Sequence, residues 1–292
     1  MRAFSAFVCL LVATLVAPVA IGASWLWLRV DSTEAYVGTV APLADDPTLR
    51  AELADRLSVA AVGAMEEHLP VGLPASVDST AHDAAVAVIE SPDFPEFWRE
   101  ANADAHREFL RIVHAEGQVA HGRLTIDISP LLASVFERLS AGGIPVEALP
   151  DVPLRVPVVE RQQLADAGGP YRVLEGLGLW LPPLWVLLVG LAAAVSRGWR
   201  GRFRAAGLGA LGLALAGLLV GVVVGPAGDA VVDEIEPDRR ELVELFVDRV
   251  LDGLDTAATA VLLVAGIVGL ALLVASLWPG SRKAESTPAG SW

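Results

Sequence analysis

Apolar residues along this chain occur in two kinds of pattern. Four runs, 3–28, 176–196, 205–228 and 256–281, contain no charged side chain. Each is long enough to cross the hydrocarbon core of a bilayer, which takes about 20 residues. Elsewhere the apolar positions are periodic. "DDPTLRAELADRLSVAAVGAM" opens with Asp46 as a helix cap and Pro47 at the first helical position, then places Leu49, Leu53, Leu57 and Ala61 on one stripe. A short helix is expected near "HDAAVAVIE", and a longer one from about Pro95 to Val113. "GRLTIDIS" alternates Leu124, Ile126 and Ile128 with polar residues, the pattern of a half-buried strand. Ser129 then reads as the cap of a helix in "SPLLASVFERLS". "VPLRVPVV" reads as a second strand, at an edge because of its prolines. Strand, helix and strand in succession suggest a small βαβ unit. Finally, "EPDRRELVELFVDRVLDGLD" sets Val243, Phe246, Val247, Val250, Leu251 and Leu254 on one helical face, an amphipathic helix that enters the fourth run almost directly.

The expected fold class is therefore an α-helical membrane protein with four transmembrane helices and a helix-rich α+β extracytoplasmic domain. The expected division is transmembrane helix 1 over 1–28, the extracytoplasmic domain over 29–175 and transmembrane helix 2 over 176–196. An arginine-rich cytoplasmic loop follows over 197–204, then transmembrane helix 3 over 205–228 and the extracytoplasmic amphipathic helix over 229–255. Transmembrane helix 4 over 256–281 and a cytoplasmic tail over 282–292 complete the chain. Composition agrees, with 54% hydrophobic residues and a mean hydropathy of +0.54. The first run is longer than the usual apolar core of a signal peptide, and Pro18 and Ile21 occupy poor positions for cleavage after Ala20 and Ala23. An uncleaved anchor is expected.

Charge sets the orientation. Arg2, the loop residues Arg197, Arg200, Arg202 and Arg204, and the tail residues Arg282 and Lys283 less Glu285 leave +6; with a net charge of −14, the rest of the chain carries −20. Because basic residues stay on the cytoplasmic side, these four arginines are read as topology determinants. Both termini are then cytoplasmic in a multi-pass protein of the cell membrane. Trp25, Trp27, Trp180 and Trp185 mark outer interfaces, and Trp199 and Trp278 inner ones. Pro182 and Pro183 are expected to kink or delay the second span. Gly217, Gly221 and Gly225 recur every four residues in the third, a spacing that lets helices pack closely.

Chemical motifs are sparse. The spans hold no ionisable group apart from the lone cysteine, Cys9, which disfavours a proton- or ion-driven transporter. With one cysteine there is no intrachain disulfide, and "AFVC" is not a convincing lipobox. No GxSxG, SxxK or Walker loop occurs, and "GLGALG" lies inside the third run without a preceding strand. The five histidines, His68, His82, His106, His114 and His121, form no HxH, HxxxH or HExxH pair, so no metal and no cofactor are expected; His106 and His114, two turns apart, give only a weak signal. The one polar cluster that stands out is in "WREANADAHREFL", where Trp98, Asn102 and His106 follow one another at intervals of four. On a helical wheel Trp98, Ala101, Asn102, Ala105, Phe109 and Ile112 share a face, with His106 at its edge. This cluster is read as structural, a helix anchored beside the core, and no catalytic residue is assigned.

The segments "TVAPLADDPTLRAELADRL", "WREANADAHREFL" and "GRLTIDISPLLASVFERL" resemble a group of uncharacterised actinobacterial four-span integral membrane proteins with a large ectodomain between spans one and two. The resemblance implies the architecture and a cell-envelope setting, and it carries no activity. The functional expectation is a non-enzymatic sensor or scaffold, with membrane lipid and an envelope protein as partners and no nucleic acid. Two alternatives stand beside it. One is a permease-like subunit of an ATPase-driven complex, and the other an extracytoplasmic hydrolase centred on His106.

Overall fold

The computed structural model describes residues 2–68, 76–115, 122–144, 146, 155–233 and 240–278; the side chains of His68, Val156, Pro157, Val158, Val231 and Glu241 are not described. His121, the tail 282–292 and the start of "EPDRRELVELF" lie outside the described residues. Helices α1 (Arg2–Trp25), α2 (Thr33–Val40), α3 (Pro47–His68), α4 (Ser76–Ile89) and α5 (Phe94–Val113) come first. Strand β1 (Arg123–Asp127), helix α6 (Ser129–Ala141) and strand β2 (Arg155–Glu160) follow, then α7 (Arg161–Val195), α8 (Gly198–Asp233) and α9 (Arg240–Leu277). Four helical segments, Arg2–Val30, Arg161–Val195, Gly198–Ala230 and Leu242–Leu277, are long and apolar enough to cross a membrane. They match the four charge-free runs but continue beyond them. Pro182 and Pro183 do not delay α7, which is helical through both. The expected arginine loop is also mostly helix. Only Ser196 and Arg197 separate α7 from α8, and Arg200, Arg202 and Arg204 lie in its first turns. The amphipathic segment is the first part of α9, with no break before the fourth run.

The chain forms two compact units. The first comprises Met1–Ile21, Trp180–Gly221 and Ala257–Trp292. Its helices leave large apolar side chains outside, among them Phe4, Leu15, Leu187, Ile267 and Leu277, all more than half exposed. That is the reverse of a water-soluble helix and suits an apolar solvent. Helix α8 is the most enclosed of the four, with 44% of its apolar window buried. Small residues make this possible. A Cβ on Gly217 would lie 2.7 Å from the Ala258 carbonyl, and one on Gly207 3.0 Å from the Gly269 carbonyl, so α8 and α9 touch backbone to backbone. Of the predicted glycine stripe, Gly217 makes this contact, whereas Gly225 faces open space. The close packing follows the α8 face of Gly207, Ala210, Ala214 and Gly217 instead of a strict interval of four.

The second unit comprises Gly22–Leu179 and Val222–Thr256. Its core joins Leu49, Leu57 and Met65 of α3 to Ile89 of α4 and Leu132, Val135 and Leu139 of α6. Leu49, Leu57 and Ala61 are buried and Leu53 is half-buried, as the leucine stripe predicts. Asp46 Oδ1 accepts hydrogen bonds from the Thr48 and Leu49 amides at 2.8 and 3.1 Å and caps α3. The cap of α6 is not Ser129. Asp127 Oδ1 accepts from the Ser129 amide at 2.9 Å and from its hydroxyl at 2.5 Å, and these bonds hold the carboxyl below its usual range. The strands occur where the alternation places them, but they pair antiparallel, with Leu124 opposite Val159 and Asp127 opposite Arg155. The expected βαβ unit is thus corrected to a two-stranded antiparallel pair. A parallel crossover needs its helix to cover the sheet. Here α6 instead turns Leu131, Leu132, Val135 and Leu139 toward α3 and α4, so nothing forces the strands parallel.

Candidate functional site

Helix α5 carries both chemical candidates of the second unit, at its middle and at its C-terminal end. At the middle, Trp98, Asn102 and His106 are 8%, 4% and 4% exposed. The apolar face therefore closes over all three, and His106 lies within the buried stripe and not at its edge. Trp98 Nε1 donates to the Val40 carbonyl at 3.0 Å, tying α5 to the end of α2. Its ring packs between Phe94 and Phe246, at centroid distances of 6.2 and 5.7 Å. Asn102 Nδ2 donates to the Trp98 carbonyl at 2.8 Å within the same helix. His106 stacks on Tyr36 with ring centroids 4.2 Å apart, and its Nδ1 shares a 3.1 Å hydrogen bond with Thr33 Oγ1. Among the described residues its buried Nε2 meets no hydrogen-bond partner. Burial pushes the imidazole below its usual range, against smaller opposing effects of the Val30 carbonyl and Asp31. A neutral, stacked ring with one nitrogen tied to a threonine suits packing. Burial also raises the Tyr36 hydroxyl, which leaves that stack without a charge at neutral pH.

The other end of α5 is different. His114 Nε2 lies 2.9 Å from Glu175 Oε2 and 3.6 Å from Asp31 Oδ1. Its Nδ1 donates to the Leu110 carbonyl at 2.9 Å. Asp31 follows a single π-helical turn, Leu26–Val30, at the end of α1, and Glu175 belongs to α7. Tyr171, one turn before Glu175, donates from its hydroxyl to Asp31 Oδ1 at 3.2 Å and stands edge-on to the His114 ring. Two glycines let α7 come this close. A Cβ on Gly168 would lie 2.5 Å from the Val113 carbonyl, and one on Gly178 would collide with the Ala23 carbonyl. Arg172 fastens the same junction, donating to the Val113 carbonyl at 2.7 Å. Among the described residues this is the one cluster of three histidine, cysteine or acidic side chains whose ligand atoms converge, all within 4.8 Å of one another.

Sequence reasoning expected no metal and treated His114 as a weak partner of His106. The two imidazoles do not share a site, because each has its own set of partners. One signal could have found the second cluster. Asp31 is the first acid after the first apolar run and Glu175 the last before the second, so both mark the same border.

A cavity of about 540 Å³ lies in the same unit, lined by Trp25, Arg29, Tyr36, Arg249 and Asp252 among others. Arg249 Nε donates to the Thr39 carbonyl at 3.2 Å, and the buried Trp25 Nε1 meets no acceptor among the described residues. In the first unit the predicted topology arginines are all exposed, and Arg200 donates to the Trp278 carbonyl at 3.0 Å. Trp27, Trp180, Trp199 and Trp278 are exposed, while Trp185, like Trp25, buries its indole N–H with no acceptor among the described residues. Compared with protein families, curated proteins and solved structures, the chain finds no match in any of the three, so its site is defined by its own geometry alone.

Proposed function

We propose that the protein is a multi-pass component of the cell envelope whose second unit faces outward and acts as a non-enzymatic sensor or scaffold. The observation that carries this reading is the use of one helix for two purposes. The first half of α9 packs Leu242, Leu245, Phe246 and Val250 against the core of the second unit, and the same helix runs unbroken to Leu277. The second unit thus holds part of a helix of membrane-spanning length. The basic and acidic segments described above support the outward orientation. The resemblance to actinobacterial four-span proteins suits the envelope setting. The two residues between α7 and α8 leave little for an ATPase to grip, which weighs against a permease subunit. The burial of His106 weighs against a hydrolase. The cavity beside Arg29 and Arg249 offers guanidinium donors to a lipid headgroup or an acidic partner.

Orientation is tested with single cysteines in a Cys9→Ala background. A membrane-impermeant thiol reagent applied to intact cells is expected to label Ala133→Cys and spare Gly201→Cys; the reverse pattern overturns the orientation. Function is tested with photo-crosslinking residues on the exposed face of α6 in native membranes. The sensor or scaffold reading expects the same cross-linked species from the wild type and from folded His106→Gln. A hydrolytic activity of the wild type that disappears in this variant overturns it.

A further inference from the structure

We infer that Asp31, His114 and Glu175 form a binding site for one divalent transition-metal ion of the zinc class. The inference deepens the sensing role proposed above by naming a ligand, yet binding of the ion does not depend on which side of the membrane the unit faces. It begins with the imidazole. A carbonyl oxygen only accepts hydrogen bonds, so the 2.9 Å contact with Leu110 fixes the proton on His114 Nδ1. Nε2 is then turned at two carboxylates, at 2.9 and 3.6 Å. A neutral ring would aim its lone pair at theirs. The 2.9 Å approach is closed either by a shared proton or by a metal ion.

The geometry admits the metal. Bonds of about 2.1 Å in a tetrahedral site put ligand atoms about 3.4 Å apart. The 3.6 Å and 2.9 Å separations from Nε2 lie on either side of that value and all three ligand atoms lie within 4.8 Å of one another, so the ion is seated by a withdrawal of Glu175 from the imidazole. The supporting contacts are those a metal site uses. The far nitrogen of the imidazole is held by a backbone carbonyl, and Asp31 is held by the Tyr171 hydroxyl, which orients the ligands before the ion arrives. The three ligands come from three separate stretches of chain, fixed by backbone contact at Gly168 and Gly178. The π-helical turn immediately before Asp31 adds to this, since such turns occur often at functional sites. One imidazole and two carboxylates suit zinc or a neighbouring first-row ion better than magnesium or calcium, which take oxygen ligands. All three side chains are partly exposed, so an ion can enter and water can complete its shell.

The test uses the full chain, purified in detergent and stripped with a chelator, with zinc sulfate as the probe. Equilibrium dialysis with elemental analysis is expected to give about one zinc per chain, with a rise in the unfolding temperature. His114→Gln and Glu175→Gln are each expected to weaken binding by about tenfold or more. His82→Gln, at a separate pair with Asp55, is expected to leave it unchanged. Glu175→Gln keeps the side-chain shape, so the ligand assignment remains testable if His114→Gln fails to fold. Absence of stoichiometric zinc in the wild type, or equal zinc in folded Glu175→Gln, overturns the proposal and leaves a histidine hydrogen-bonded beside two acids. Either result leaves the orientation test untouched.

Discussion

Two histidines on one helix have opposite surroundings. His106, in the middle of α5, is closed off by Tyr36, Thr33 and Phe109. His114, two turns on, stands half-exposed between Asp31 and Glu175. The residue type is the same and the helix is the same. What differs is the neighbour supplied by the rest of the chain. At the middle, α2 brings an aromatic ring and a hydroxyl; at the end, the exit of α1 and the start of α7 bring two carboxylates. The buried ring is kept neutral by loss of water, whereas the exposed one is turned toward negative charge. A histidine's function is thus set by what the fold brings to its second nitrogen.

The contrast can be broken most forcefully at the middle of the helix. Trp98→Ala removes a buried ring and its bond to Val40, and is expected to cost about 3–5 kcal/mol in chemical unfolding of the purified protein. A cost below about 1 kcal/mol would mean that this part of α5 is not a packing anchor. Phe246→Asp, on the facing helix, places a carboxylate beside Trp98. A loss of about 2–4 kcal/mol is expected, with faster proteolysis of the second unit; an unchanged digestion pattern would detach α9 from that core.

His106→Gln is a smaller change with a distinctive pH signature. The folded state holds this imidazole below its unfolded value of about 6.5. Its contribution is therefore complete above about pH 6.5 and is lost as the pH falls from there toward the folded value, because the unfolded chain takes up a proton first. The variant is expected to lose about 1–2 kcal/mol at neutral pH and to show a flatter decline in acid. Identical pH profiles for variant and wild type would contradict the burial. His114→Gln is expected to change metal-free stability by less than about 1 kcal/mol, since its partners are partly exposed. A larger loss in thermal unfolding would place His114 with the packing residues and erase the comparison.

How much of this is legible in the sequence follows from the range of the interactions involved. The four long helices are legible because a charge-free run needs no partner to be recognised. The face of Trp98, Asn102 and His106 is legible because helical periodicity is local. Helix α2 is not, since Thr33–Val40 has no strong apolar stripe and only Val40 is buried. The start of α9 is legible from its amphipathic stripe, whereas the charged ends of α7 and α8 are not legible from the apolar runs. Those helices continue through charged turns that the apolar criterion excludes, such as Arg161–Glu175 of α7 and Gly198–Arg204 of α8. The direction of β2 depends on where α6 packs, a tertiary choice. The Asp31–His114–Glu175 cluster is the extreme case, for its members are far apart in sequence and no local pattern links them.

The join between β2 and α7 has one more consequence. Strand β2 ends at Glu160 and α7 begins at Arg161, with no residue between. Gly168, Tyr171, Glu175 and Gly178 then follow at intervals of three and four, the spacing of a single helical seam. The strand ladder consequently acts as the index mark of a dial, fixing the rotation at which α7 departs. One residue added at that join would turn the following helix by about 100° and advance it by about 1.5 Å. Both glycines would leave their backbone contacts, and Glu175 would leave His114. Length at this single junction is therefore a stricter requirement than the identity of many side chains around it, and natural insertions are expected to be excluded there while side chains on the outer face of α7 vary.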